Sequence, residues 1–311
     1  MSSWNGGWRQ RAAACGRSHA LRAAIHVVSI AALAACLLAG AARGASPMQG
    51  TTSRQAREDA LRSVPLAKLP IDKQAKVAKL LSDTTVFRRL PTQVIQCDPA
   101  FYTFLLEHPD VIVNIWSALG ISEVRLTRTG DDTFQANDGA GTSGAVEYLY
   151  RGADMHVFYG EGLYTGAMFS KPVRGKCLLL LKSGYLRETN GRYYVTCRLD
   201  AFMHLDNVGV ELLAKTFQPL IGPVADHNFR ETVSFVESLN RAAEINYSGV
   251  QELAKKLDKI SPETRREWSA LSERVAIRAA IADAQQPSDR RPPALNTARR
   301  PPAKPPTPQN R

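Results

Sequence analysis

Asp154-x-His156 and His204-x-Asp206 each set a carboxylate and an imidazole two residues apart. In a strand, residues i and i+2 share a face. Each pair therefore shows two potential ligands to one side, and two such strands side by side would gather four around a metal ion. Against this, His204 and Asp206 share their face with Arg198 and Asp200. A mixed-charge face of this kind reads as solvated surface. The expectation is no metal and no cofactor, with Asp154, His156, His204 and Asp206 as the ligands should one bind.

Other chemistry is weaker still. Gly139-x-Gly141-x-x-Gly144 in "NDGAGTSGA" has the spacing of a dinucleotide loop. Such a loop must follow a strand and open a helix, whose N-terminal amides hold the pyrophosphate. Here "VEYLYRGADMHVFYGEGLY" follows, which is aromatic, β-branched and without helical period. A loop between two strands explains the glycines. Ser143 lacks the second glycine of a nucleophile elbow. Cys197 lies seven residues from His204, about 20 Å along a strand, and reads as a small core residue. Asp131, Asp132 and Asp138 lack calcium-loop spacing, failing at Phe134. No catalytic residue is assigned.

The elements that would position these residues fall in a definite order. Residues 52 to 83 carry helical patterning, with Ile71, Ala75, Val77, Ala78 and Leu81 near one face. "TVFRRLPTQVIQCD" looks extended. Asp98-Pro99 starts a helix, which His108-Pro109 splits and Gly120 ends. Strands follow, including a hairpin at Asn190-Gly191, where both residues tolerate the positive φ of a type I′ turn. Its second strand alternates. Tyr193, Val195, Cys197, Leu199, Ala201, Met203 and Leu205 form a dry face, and Tyr194 to Asp206 a wet one. After Asp206, "NVGVELLAKTFQPLIG" reads as a helix ended by Gly222-Pro223. Asp226 caps the next, whose stripe holds Phe229, Val233, Val236, Leu239 and Ala243. Two polar amphipathic helices close the body. The last is capped by Ser261 before Pro262, and both look loosely attached.

"DPAFYTFLLEHPDVIVNIWSALGI", the Asn190-Gly191 hairpin and "FMHLDNVGVELLAKTFQPLIG…HNFRETVSFVESLNRAAE" carry a resemblance. In element order the chain resembles the START-like helix-grip superfamily, in which a curved antiparallel sheet wraps around a long C-terminal helix. It is otherwise similar to exported bacterial proteins of unassigned function. The resemblance implies an α+β helix-grip fold with extra N- and C-terminal helices, an apolar cavity, and no invariant catalytic residue. Phe229, Val233 and Val236 opposite Val195, Cys197, Leu199, Ala201 and Met203 either fill a core or line that cavity for an apolar small molecule or lipid.

The ends differ from the body. Arg9, Arg11, Arg17 and Arg22 precede an uncharged Ala-rich run from 23 to 42, followed by Ala42-Arg43-Gly44-Ala45. This describes an export signal, cleaved after Gly44 or Ala45. Two variants are a lipoprotein box, "LAAC", leaving a lipidated Cys36, and an uncleaved anchor. Each places the body in the periplasm or cell envelope. Residues 285 to 311 hold eight prolines and few apolar side chains, a disordered polyproline-type composition. Of the net +11, residues 1 to 45 carry +5 and the tail +5, leaving +1 for the body. The high pI therefore does not imply nucleic acid, and an anionic surface would meet the tail.

The chain divides into 1–45 export segment, 46–84 N-terminal helical segment, 85–247 START-like domain, 248–284 C-terminal helices and 285–311 tail. Cys97, Cys177 and Cys197 remain after export, and an odd count leaves at least one thiol free within the chain. The functional expectation is non-enzymatic binding of an apolar or lipid-like ligand. The alternatives are an envelope interaction protein acting through its basic tail, and a hydrolase-type enzyme on the same scaffold.

Overall fold

The computed structural model describes residues 49–166, 171–206, 208 and 218–284. The segment read as an export signal, with Cys36, and the proline-rich tail lie outside these residues. Helices α1 (Arg54–Ser63) and α2 (Ile71–Ser82) come first. Strands β1 (Val86–Arg89) and β2 (Gln93–Gln96) follow, then α3 (Pro99–Glu107) and α4 (Pro109–Leu119). The remaining strands are β3 (Arg125–Arg128), β4 (Thr133–Asn137), β5 (Thr142–Arg151), β6 (Met155–Tyr164), β7 (Val173–Arg187) and β8 (Tyr193–Leu205). Helices α5 (Gln218–Ile245), α6 (Tyr247–Ala254) and α7 (Pro262–Ala284) close the described chain.

All eight strands join one antiparallel sheet in the order β1-β8-β7-β6-β5-β4-β3, with β2 also pairing β8. The sheet is curved, and the long C-terminal helix α5 packs on one side of it. This is an α+β helix-grip fold. Alternation sorts the side chains into two faces. Register sets Met203, Cys177, Gly160 and Val146 in one row of the inner face, facing α5, and Ala201, Leu179, Phe158 and Tyr148 in the next. Phe202, Leu178 and Tyr159 belong to the outer face.

The outer face corrects the sequence reading. Along β8 it is wet only in part: Thr196 is exposed and Tyr194, Arg198, His204 and Asp206 are half-buried, but Asp200 and Phe202 are covered by α1 and α2. Their Ala60, Val77 and Leu80 share a buried cluster with Phe87, Leu178, Leu180 and Phe202. Asp200, on that face, is fully buried, and Arg89 of β1 meets it through Nε at 2.6 Å and also holds Asp59 of α1 at 2.7 Å. A buried carboxylate needs such partners. In α2 the covered side is Val77 and Leu80, whereas Ile71, Ala75 and Ala78 are exposed.

Other differences have local causes. Residues 52–83 form two helices and a short 3-10 turn at Leu66–Lys68, because Pro65 and Pro70 interrupt the ladder. The β7–β8 turn is not type I′. Gly191 N–H donates to Glu188 O at 2.9 Å, Glu188 N–H donates to Arg192 O at 2.9 Å, and Gly191 has φ 81°. That is the longer hairpin with a left-handed glycine after the turn. Helix α5 runs through Gly222-Pro223 instead of ending there, and Asp226 pairs with Arg88 of β1 instead of capping. The last two helices are not loosely attached. Trp268, Leu271 and Val275 of α7 and Leu253 of α6 are buried with Phe101, Ile115 and Leu239.

Expected features also stand in place. Asp98 accepts from Ala100 and Phe101 N–H at the start of α3, His108 separates α3 from α4, Gly120 ends α4 in the left-handed region, and Ser261 accepts from Thr264 N–H.

Candidate ligand-binding site

The residues singled out along β8 and α5 fall into two groups. Val195, Cys197, Val233 and Val236 pack with Phe101, Leu105 and Trp268 in a cluster filled from α3, α4, α6 and α7. Leu199, Ala201 and Met203 belong to a second cluster with Leu179, Leu181, Cys177 and Ala225. Phe229 touches both and remains half-buried, as does Leu106 at the end of α3. The helical end of the inner face is thus occupied by side chains, and the other end is walled by the sheet.

That second wall extends to strands the sequence reading did not single out. Phe158 of β6 and Val146 of β5 point inward and stay half-buried. Tyr148 lies between Phe134 and Phe158, with ring centroids 5.9 and 4.5 Å away. His156 stacks on Phe158 at 6.4 Å. The alternation in "MHVFYGEG" places His156 and Phe158 on one face, so a signal for this wall existed. Glycines bare part of it. Gly162 and Gly175 stand side by side with Gly144 in one row, so no side chain rises from three adjacent strands there. Glycine inside strands marks tight bends and close backbone approach.

Polar groups on this wall are few and mostly paired. The Tyr148 hydroxyl donates to Leu106 O. Tyr102 and Ser183 share a hydrogen bond of 2.8 Å, and Cys197 Sγ lies 3.4 Å from the Tyr102 hydroxyl. Arg88 holds Asp226. Burial pushes the Tyr102 hydroxyl well above its ordinary value. Burial also pushes Cys177 up to about 12 and Cys197 to about 11, and raises Cys97. All three thiols are buried and unpaired. Thiols held protonated are poor nucleophiles, and behave here as small apolar groups. His156 is 2% exposed, and burial followed by the nearby Arg151 lowers its pKa to about 4. The imidazole is therefore neutral at neutral pH.

The two Asp/His pairs do not meet. Strand β7 separates β6 from β8, and His156 pairs with Leu181 whereas His204 pairs with Lys176, five residues along β7. They also face opposite sides, His156 inward with Leu199 and His204 outward with Phe202. His204 is held locally, Nδ1 at 2.8 Å from Asp83 O and Nε2 at 3.2 Å from Asp206. Asp154 is exposed in the β5–β6 turn. Among the described residues no three His, Cys, Asp or Glu side chains are grouped to hold a metal. The Gly139 loop is the β4–β5 turn, with Gly139 at φ 73° and Gly141 at φ 115°, and it leads into a strand. A helix N-terminus for a pyrophosphate is not there.

No family model matches the chain, and no curated protein matches it. Solved structures do. A conserved protein from Geobacillus kaustophilus is 12% identical over 47% of this chain and 90% of its own, with a TM-score of 0.30. The di-domain ARO/CYC BexL from the BE-7585A biosynthetic pathway is 12% identical over 59% of this chain and 58% of its own, TM-score 0.30. The human StarD13 (DLC2) lipid transfer and protein localization domain is 10% identical over 47% and 76%, TM-score 0.25. At these values none of them gives a residue of this chain a role.

Proposed function

We propose that the protein binds an apolar small molecule or lipid between the inner face of β5–β8 and helix α5, without transforming it. The observation that carries this is the state of Phe158, Val146, Leu106 and Phe229: they point inward and remain only half-buried. A filled core would bury them, since interiors pack to crystal-like density. Apolar walls with few polar groups are the usual composition of small-molecule sites. Export by residues 1–45 belongs to the same reading. It is checked by N-terminal sequencing of the protein recovered from the periplasm, where a first residue at 45 or 46 is expected.

Native mass spectrometry of the purified protein, followed by organic extraction, tests the binding. A stoichiometric added mass that extracts into organic solvent supports it. A clean apo mass, together with no uptake of the neutral dye 1-N-phenylnaphthylamine, overturns it.

A further inference from the structure

His156 on this wall and Asn228 on α5 keep hydrogen-bonding capacity that no described residue uses. His156 Nδ1 is buried without a partner on β6, next to half-buried Phe158. Asn228 Nδ2 on α5 is likewise buried without a partner. The direction of Asn228 follows from helix geometry. Asp226 reaches Arg88 of β1 on one side of α5. Phe235 packs on Trp116 of α4 at 5.8 Å on the other. Asn228 precedes Phe235 by seven residues, about two turns, so it lies on the α4 side of the Phe229 stripe.

The other unpartnered buried atoms stand elsewhere. Arg57 and Arg198 are near the outer face, Arg265 and Trp268 on α7, and Asp138 and Thr142 at the β4–β5 turn. The remaining inner-wall polar groups, Tyr148, Tyr102, Ser183 and Arg88, are satisfied within the protein. A buried donor or acceptor left unmade costs more than a made bond gains, so a site with two of them selects a ligand that completes them.

We infer that His156 and Asn228 are polar anchors of the cavity, and that its ligand is an uncharged apolar molecule bearing a hydroxyl or carbonyl group. This rests on the cavity reading above. The neutral imidazole accepts from a hydroxyl or donates to a carbonyl according to its tautomer. The Asn228 amide, which can present either atom, takes the complementary role. Among the described residues, the arginines beside the wall are paired: Arg88 is held by Asp226, and Arg151 by Asp132 at 2.7 Å. A carboxylate or phosphate would enter without a counter-charge.

The test is displacement of 1-N-phenylnaphthylamine by decan-1-ol, decane and decanoate, in wild-type protein and in His156→Phe, His156→Gln and Asn228→Leu. The Phe and Leu variants are expected to raise the half-displacement concentration of decan-1-ol about fivefold and to leave decane within about twofold. His156→Gln, which keeps a hydrogen-bonding group, restores part of the alcohol's advantage. Equal shifts for alcohol and alkane, or none, overturn the anchors while the cavity stands. A preference for decanoate that His156→Phe abolishes overturns the uncharged class. If the dye does not bind wild-type protein, the cavity reading falls and the anchors with it. Should His156→Phe fail to fold, Asn228→Leu decides alone.

Discussion

Strand β8 presents Asp200 and Phe202 to one side of the sheet and Leu199, Ala201 and Met203 to the other, and the two sides are finished differently. Outside, α1 and α2 close over the strand, and even a carboxylate is sealed in with its arginine. Inside, the end near Val195 is packed by helices, while Phe158 and Phe229 stay half-buried against the rest of the face. On the proposed reading, one strand therefore serves a closed core and an open one. Which is which depends on the elements laid over it, not on the alternation within it.

The contrast can be broken most severely on the closed side. Phe202→Ala is expected to lower unfolding free energy by about 3–5 kcal/mol in urea titration, because the outer cluster cannot collapse around the void. Asp200→Ala should cost less, about 2–3 kcal/mol, because Arg89 loses its fully buried partner and keeps only the part-exposed Asp59. If both losses fall below about 1 kcal/mol, the outer face is not the sealed core described.

A pH series sharpens the inner side. His156 titrates near pH 4 when folded and near 6.5 when unfolded. Between these values the unfolded chain binds more protons, so stability falls as the pH drops. The slope is roughly 1 kcal/mol per pH unit, and His156 contributes none above about pH 7. Comparing urea midpoints from pH 7 to 4 checks this, and His156→Phe should flatten that part of the curve.

Phe158→Ala, on the open side, should cost only about 1–2 kcal/mol, far less than Phe202→Ala, while changing dye uptake. Equal losses at the two phenylalanines would erase the distinction between the faces. The smallest effect concerns the hairpin alone: Gly191→Ala, at φ 81°, should cost about 1 kcal/mol and leave both faces as they are.

The inner face was legible because it obeys a simple rule. Val195 to Met203 alternate, and Phe229, Val233 and Val236 recur at helical spacing, so both were placed on the correct surfaces from sequence. The outer face was not legible, and Asp200 shows why. A charged residue in an alternating strand reads as solvated, since nothing within β8 reveals that Arg89 will meet it from 111 positions away in the chain, itself held on the far side by Asp59. Pro223 shows the same limit. Gly-Pro is a local stop signal, yet the helix continues through it. The wall residues Phe158 and Tyr148 were within reach, but only once β6 is known to adjoin β7, and β5 to adjoin β6. His156 seemed half of a metal pair because pairing order, which parts it from His204, is not written in either dipeptide spacing.

The pairing of β1 with β8 has a consequence for how the protein is made. Thr85 beside β1 bonds to Met203, 118 residues later, and β2 also waits for β8. During synthesis the first two strands and the helices that cover them emerge long before their partner exists. Contacts of such separation slow folding, and they leave Phe87 of β1, with Val77 and Leu80 of the helix over it, exposed to other chains in the meantime. Refolding from urea should therefore be slow, and it should lose yield steeply as protein concentration rises.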